Sequence, residues 1–190
     1  MDANKILNLY AAGERTFNRA NLHQINLCAV NLSGADFTEA DLSGANLSQA
    51  DLSGCNLSRA NLTDADLSGA NLKDANLSEV NLIGADLIRV NLAKTNLSRA
   101  DLRSANLEIA NLVDANLSEA EMSGANLRNA NLRQANLIAC NINEAELSGA
   151  DLTGTIINEP DKTPEVLHIG ISHKWVTWAG SYSKVLSREC

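Results

Sequence analysis

The chain has few aromatic residues, only two prolines, and no long apolar run in its 190 residues. Crossing a bilayer as a helix takes about 20 consecutive apolar residues, and no stretch approaches that, so no membrane partner is expected. Met1 to Lys5 lacks a basic region followed by an apolar block, so no signal peptide is visible and a cytoplasmic protein is expected. Clustered Lys and Arg are missing as well. The net charge of −8 disfavours direct nucleic-acid binding, which needs such clusters. The four cysteines, Cys28, Cys55, Cys140 and Cys190, form no CxxC pair and no metal-ligand spacing. His23, His168 and His173 sit in no recognisable nucleophile motif, and no phosphate-binding glycine loop occurs. No cofactor is expected, and the chain reads as a non-enzyme. A metal held by His168, His173 and Cys190 is the weaker chemical alternative.

What is present is one phrase repeated from about Asn21 to Leu152. Ala45-Asn46-Leu47-Ser48-Gln49 is followed by Ala50-Asp51-Leu52-Ser53-Gly54 and then Cys55-Asn56-Leu57-Ser58-Arg59. A helix cannot use this pattern, because a period of five places successive leucines about 140° apart around its axis. Two inward residues flanking one outward residue is strand alternation, and the two remaining polar residues then turn a corner. A chain that runs straight, turns and repeats is a β-solenoid. Four sides close a coil of twenty residues. On that period, Arg19, Glu39, Arg59, Glu79, Arg99 and Glu119 fall in one column, an alternating charge ladder. Phe17 and Phe37 fall on that same side one coil apart and are expected to stack inside.

The interior of such a tube is narrow, so Ile25, Val30, Val80, Val90 and Thr95 at the alanine position are departures. Cys55 and Cys140 at that position read as small buried hydrophobes. The Asn or Asp before each leucine points outward, placed for hydrogen-bonded ladders between coils. Gly34, Gly54, Gly69 and Gly149 fall at corners, where a positive φ is wanted. Before the repeat, Asp2 caps a helix from about Ala3 to Ala12 that Gly13 ends. Its apolar face, Ile6, Leu7 and Tyr10, needs a surface to dock on, and the first coil offers one.

The tandem phrase from Ala20 to Gly154 resembles the pentapeptide-repeat family. Tyr10 to Phe17 is similar to a leader found before the first coil in many cyanobacterial members, where it belongs to a capping helix. The resemblance implies an all-β fold, a right-handed quadrilateral β-helix of about seven coils with a short N-terminal capping α-helix. The expected division is 1–14 capping helix, 15–159 solenoid and 160–190 C-terminal tail. Most relatives of this kind have no known biochemical role, while a minority inhibit DNA gyrase by resembling DNA.

Function then lies in the exceptions to the repeat. Ile83, Ile88, Ile109, Val113 and Ile138 intrude at outward positions. The first four are the candidate protein-contact patch, with Ile88 and Ile109 on one side in adjacent coils. One side is acidic, with Asp41, Asp64, Asp101, Glu121 and Glu144 against Arg103 alone. The tail carries both tryptophans. Trp175, Trp178 and Tyr182 form a candidate contact that either caps the solenoid or joins a homodimer. The expected role is a non-catalytic scaffold for a protein partner. A DNA-mimic inhibitor of an enzyme such as gyrase is the alternative.

Overall fold

The computed structural model describes residues 1–157. The tail segment 160–190, with Trp175, Trp178 and Tyr182, lies outside the described residues.

Helix α1 spans Ala3–Ala11. The Asp2 carboxylate accepts the Lys5 N–H at 2.8 Å, filling one of the open donors of the first turn. Gly13 ends the segment at φ +96°, a conformation that residues with a Cβ avoid. Ile6 is fully buried, and Leu9 and Tyr10 pack against the same core. The Tyr10 hydroxyl donates to the Ser33 carbonyl at 2.9 Å, and the Arg15 guanidinium lies 3.7 Å above the Tyr10 ring. The helix therefore closes the N-terminal end of the tube.

From Thr16 to Ile156 the chain is a right-handed quadrilateral β-helix. Each fifth position from Thr16 to Asn136, mostly Asn or Asp, pairs in parallel with the residue twenty further on. Asp41 shows the pattern: its N–H donates to the Ala20 carbonyl at 3.0 Å, and its carbonyl accepts from Leu22 at 2.7 Å. We name the four sides by their first central residue: Phe17, Leu22, Leu27 and Leu32.

Each corner is a four-residue turn closed by a bond such as Ala45 N–H to Leu42 carbonyl at 3.0 Å. The third residue of the turn is left-handed in every case from Arg19 to Gly154, whether or not it is glycine. That conformation costs a residue with a Cβ about 1 kcal/mol. Two bonds per corner offset it. The side-chain oxygen before the leucine accepts the N–H two residues on, as from Ser48 to Asn46 at 3.1 Å, which is an Asx turn. The corner N–H then donates to the next coil, as from Gln24 to Ser43 at 2.8 Å.

The central leucines and the alanines fill the axis and are almost wholly buried through the middle of the rod. Phe17 and Phe37 stack with centroids 5.4 Å apart. Thr95, only 1% exposed, is tolerated because its hydroxyl donates to the Leu72 carbonyl at 2.9 Å. The Cys55 thiol makes the equivalent bond to Leu32 at 3.1 Å.

Candidate protein-interaction surface

The Phe17 side is saturated. Asn76, Asn96, Asn116 and Asn136 each donate from Nδ2 to the Oδ1 of the asparagine one coil earlier, at 3.1–3.2 Å. An aspartate can receive such a bond but not pass it on, so only asparagine sustains a continuous ladder. Beside it runs the charge column. Glu39 pairs with Arg19 at 2.7 Å and Arg59 at 3.3 Å, Arg59 with Glu79 at 3.5 Å, and Arg99 with Glu119 at 2.9 Å. These side chains are largely exposed, so each pair adds little to stability.

The Leu22 side is the acidic one, and three of its carboxylates, Asp41, Asp101 and Glu121, are engaged. The Ser43 hydroxyl and N–H hold Asp41 below the usual carboxylate range. Arg103 does the same for Asp101, with Nε at 2.9 Å from Oδ1 and Nη2 at 2.7 Å from Oδ2. Glu121 accepts from the Asn141 side chain. A shallow groove of about 410 Å³ runs along this side, lined by Ile83, Arg103, Ser104, Ser123, Gly124 and Glu144. Its floor is low because Ser104, Ser123 and Gly124 have little or no side chain.

The candidate apolar residues divide between three places. Ile83 belongs to the acidic groove. Ile88 and Ile109 sit at the corner joining the Leu27 and Leu32 sides, where backbone bonds place Ile88 between Ser68 and Glu108 in one column, and Val113 sits at the next corner. Ile83, Ile88 and Val113 are half-buried, and Ile109 is 44% exposed. Ile109 also occupies a left-handed corner position, at φ +61°. It is the one β-branched residue in that conformation among the described residues. A branched Cβ there is under steric strain, which polar or glycine neighbours in the same column escape. Sequence patterning finds this residue as exposed and apolar. Its strain is visible only once the corner conformation is known.

Groups with chemical potential are arranged for structure. His23 Nδ1 lies 2.8 Å from the Ser43 hydroxyl, which donates to Asp41 at 2.6 Å. The same hydroxyl-to-acid contact recurs at Thr153 and Asp151 at 2.6 Å, so it belongs to the corner design. Burial pushes the Cys55 and Cys140 thiols up to about 11 and about 12, which makes them poor nucleophiles at neutral pH. Among the described residues no group of three His, Cys, Asp or Glu could hold a metal ion. No helix among them is long and apolar enough to cross a membrane.

A family pattern described as pentapeptide repeats matches in eight copies, over residues 17–54, 55–93, 81–118, 95–134 and 120–158. The chain belongs to that family. Its fold is similar to that of a trypsin-treated variant of QnrB1, a plasmid-mediated fluoroquinolone resistance protein. The TM-score is 0.66 and the identity 25%, over 71% of this chain and 68% of that one. HetL, a pentapeptide repeat protein involved in heterocyst differentiation regulation from the cyanobacterium Nostoc, is 30% identical over 86% of this chain and 99% of its own, with a TM-score of 0.38. A second Nostoc pentapeptide repeat protein is 30% identical over 83% and 96%, with a TM-score of 0.36. Comparison with curated proteins gives no match.

Proposed function

We propose that this pentapeptide-repeat protein is a non-catalytic scaffold that binds a protein partner through the mid-rod residues Ile83, Ile88, Ile109 and Val113. The observation that carries this reading is Ile109, an exposed isoleucine held in a left-handed corner. Strain of that kind persists where the surroundings impose it, and it gathers at binding and catalytic sites. The polar groups of the repeat support the non-catalytic part, because ladder and corner bonds already occupy them. The test is capture from an extract of the native host by the full chain and by an Ile88→Asp, Ile109→Asp variant. A partner held by the first and released by the second is expected. Equal capture by both rules out the mid-rod surface.

The likeness to QnrB1 favours one second reading, an inhibitor of a DNA-binding enzyme such as gyrase acting as a polyanion mimic. The Leu22 side would supply the charge. Only Asp101 and Glu121 are neighbours at the coil spacing of about 4.8 Å, and Asn61 and Asn81 separate Asp41 from them. Arg103 neutralises Asp101, which leaves a thin likeness to one phosphate every ~1.7 Å of duplex. A gyrase supercoiling assay decides it, and undiminished supercoiling at micromolar protein rejects the mimic.

A further inference from the structure

The two ends of the rod differ. At the N-terminal end α1 sets Ile6 over the first coil and buries it. At the C-terminal end the last coil has no such cover among the described residues. One coil earlier, the N–H groups of Met122, Leu127 and Leu132 donate to the Asn141, Glu146 and Asp151 carbonyls at 2.7–2.8 Å. The equivalent N–H groups of Ile142, Leu147 and Leu152 have no backbone acceptor among the described residues, and the Cys140, Ala145 and Ala150 carbonyls no donor. Ile142, Ala150 and Leu152 are half-buried, whereas their counterparts Met122, Ala130 and Leu132 are buried. Open backbone groups over apolar side chains pair with whatever chain reaches them, and solenoids need that end covered.

The outward columns change at the same end. On the Phe17 side the column of Ser58, Ser78, Ser98 and Ser118 closes on Ile138. The asparagine ladder through Asn136 closes on Ile156, which is 55% exposed. These two isoleucines lie in successive coils, tied by the bond from Leu137 N–H to the Ile156 carbonyl at 2.7 Å. They form an apolar rim beside the open end. An eighth coil does not fit the sequence that follows. On the period of five, Pro160 and Glu165 fall at the alanine position and Lys162 and Ser172 at the central one. Charge on the axis of a narrow apolar tube has nothing to offset its burial. The same stretch nevertheless holds Val166, Leu167, Ile169, Ile171, Trp175 and Trp178.

We infer that segment 166–178 of this chain lies across the C-terminal end of the rod, with its apolar side chains against Ile138, Ile142, Leu152 and Ile156. Residues 158–165 extend to about 28 Å at most. A side of the square holds about three extended residues, or about 10 Å, so the segment reaches every part of the end. Its attachment at the rim also decides the occupant. A tethered segment acts at an effective concentration on the order of millimolar and outcompetes a second copy at micromolar protein. The inference is independent of the mid-rod surface.

Trp175 and Trp178 are the only tryptophans of the sequence, so tryptophan emission of the full-length protein reports this segment alone. Native emission should be blue-shifted from that of the urea-unfolded chain and should resist acrylamide quenching, because a docked indole is buried among apolar side chains. Both properties should be the same in dilute and concentrated protein. The variant Ile138→Ser, Ile156→Asn restores the residues that the two columns use elsewhere, and both changes point outward. Its far-ultraviolet circular dichroism should match the wild type while its emission moves to the red and quenching rises towards the unfolded value. Should the double variant lose its dichroism, Ile156→Asn alone gives the same reading at an exposed position. Ile88→Asp, in mid-rod, should change neither property. Native quenching equal to that of the unfolded chain overturns the inference, as does protection that the rim variant leaves intact. Protection that fades on dilution overturns it too, by making a second copy the occupant.

Discussion

The Phe17 side and the corner between the Leu27 and Leu32 sides are written in the same five-residue phrase, yet they use their surfaces differently. On the Phe17 side an asparagine ladder runs unbroken from Asn56 to Asn136, and the neighbouring column alternates Arg and Glu in ion pairs. At the corner, the column reads Arg89, Ile109 and Asn129, with an isoleucine under strain and an arginine that forms no ion pair among the described residues. Both regions lie over one core of nearly inaccessible leucines. The difference teaches that the repeat fixes stability from inside and leaves the outward positions free to diverge. One side spends that freedom on its own neighbours, and the other leaves an isoleucine exposed.

If the two regions differ only on the outside, their inner residues should be equivalent. Leu97→Ala under the Phe17 side and Leu107→Ala beside the corner remove fully buried side chains, and each should cost about 2–5 kcal/mol in denaturant unfolding. A large gap between the two would place the difference in the core. Next in size is the ladder. Asn96→Asp sets a carboxylate oxygen against Asn76 Oδ1 where an amide now donates at 3.1 Å, and should cost about 1–3 kcal/mol. Ile109→Asn should act in the opposite direction, raising stability by about 1 kcal/mol as the branched Cβ leaves the left-handed position. Arg99→Glu would leave Glu79, residue 99 and Glu119 all anionic in one column. The cost should be small and should shrink in high salt, read as a melting shift at two ionic strengths.

The smallest expected effect concerns pH and falls outside both regions. Hydrogen bonds from Ser43 and Ser53 and the Arg103 guanidinium hold Asp41, Asp51 and Asp101 below the ordinary carboxylate range. A depressed folded value means stability that is present above the unfolded value, about 3.9, and is lost as pH falls through the folded one. Melting temperature should therefore be level from neutral pH down to about 5 and decline below about 4. A decline that began at neutral pH would point to other groups.

Much of this fold is legible in the sequence because the period is strict. The helix cap at Asp2, the stack of Phe17 on Phe37 and the Arg and Glu column all follow from sorting residues on five and twenty. The corner conformation does not. Glycine occupies a minority of the corner positions, so its preference hides the fact that Arg, Glu, Gln and Ile adopt the same left-handed φ. The reason is energetic: an Asx bond and an inter-coil bond outweigh the local penalty, and neither shows in a propensity. The candidate surface is half legible for the same cause. Ile109 announces itself as apolar, but its strain depends on the corner. That Arg89, Lys94 and Arg128 form no ion pair among the described residues depends on where long side chains reach. The buried Thr95 is a further case, since its partner, the Leu72 carbonyl, lies 23 residues away along the chain.

We propose that the strain and exposure of Ile109 serve a contact and not the fold. The direct measurement pairs stability with host-extract capture for Ile109→Asn and for Glu119→Asn, the matching corner position on the Phe17 side. Ile109→Asn should melt higher than the wild type and lose the partner, whereas Glu119→Asn should change stability by no more than about 0.5 kcal/mol and keep it. An Ile109→Asn protein that is less stable, or that still holds the partner as firmly as the wild type, would contradict the account.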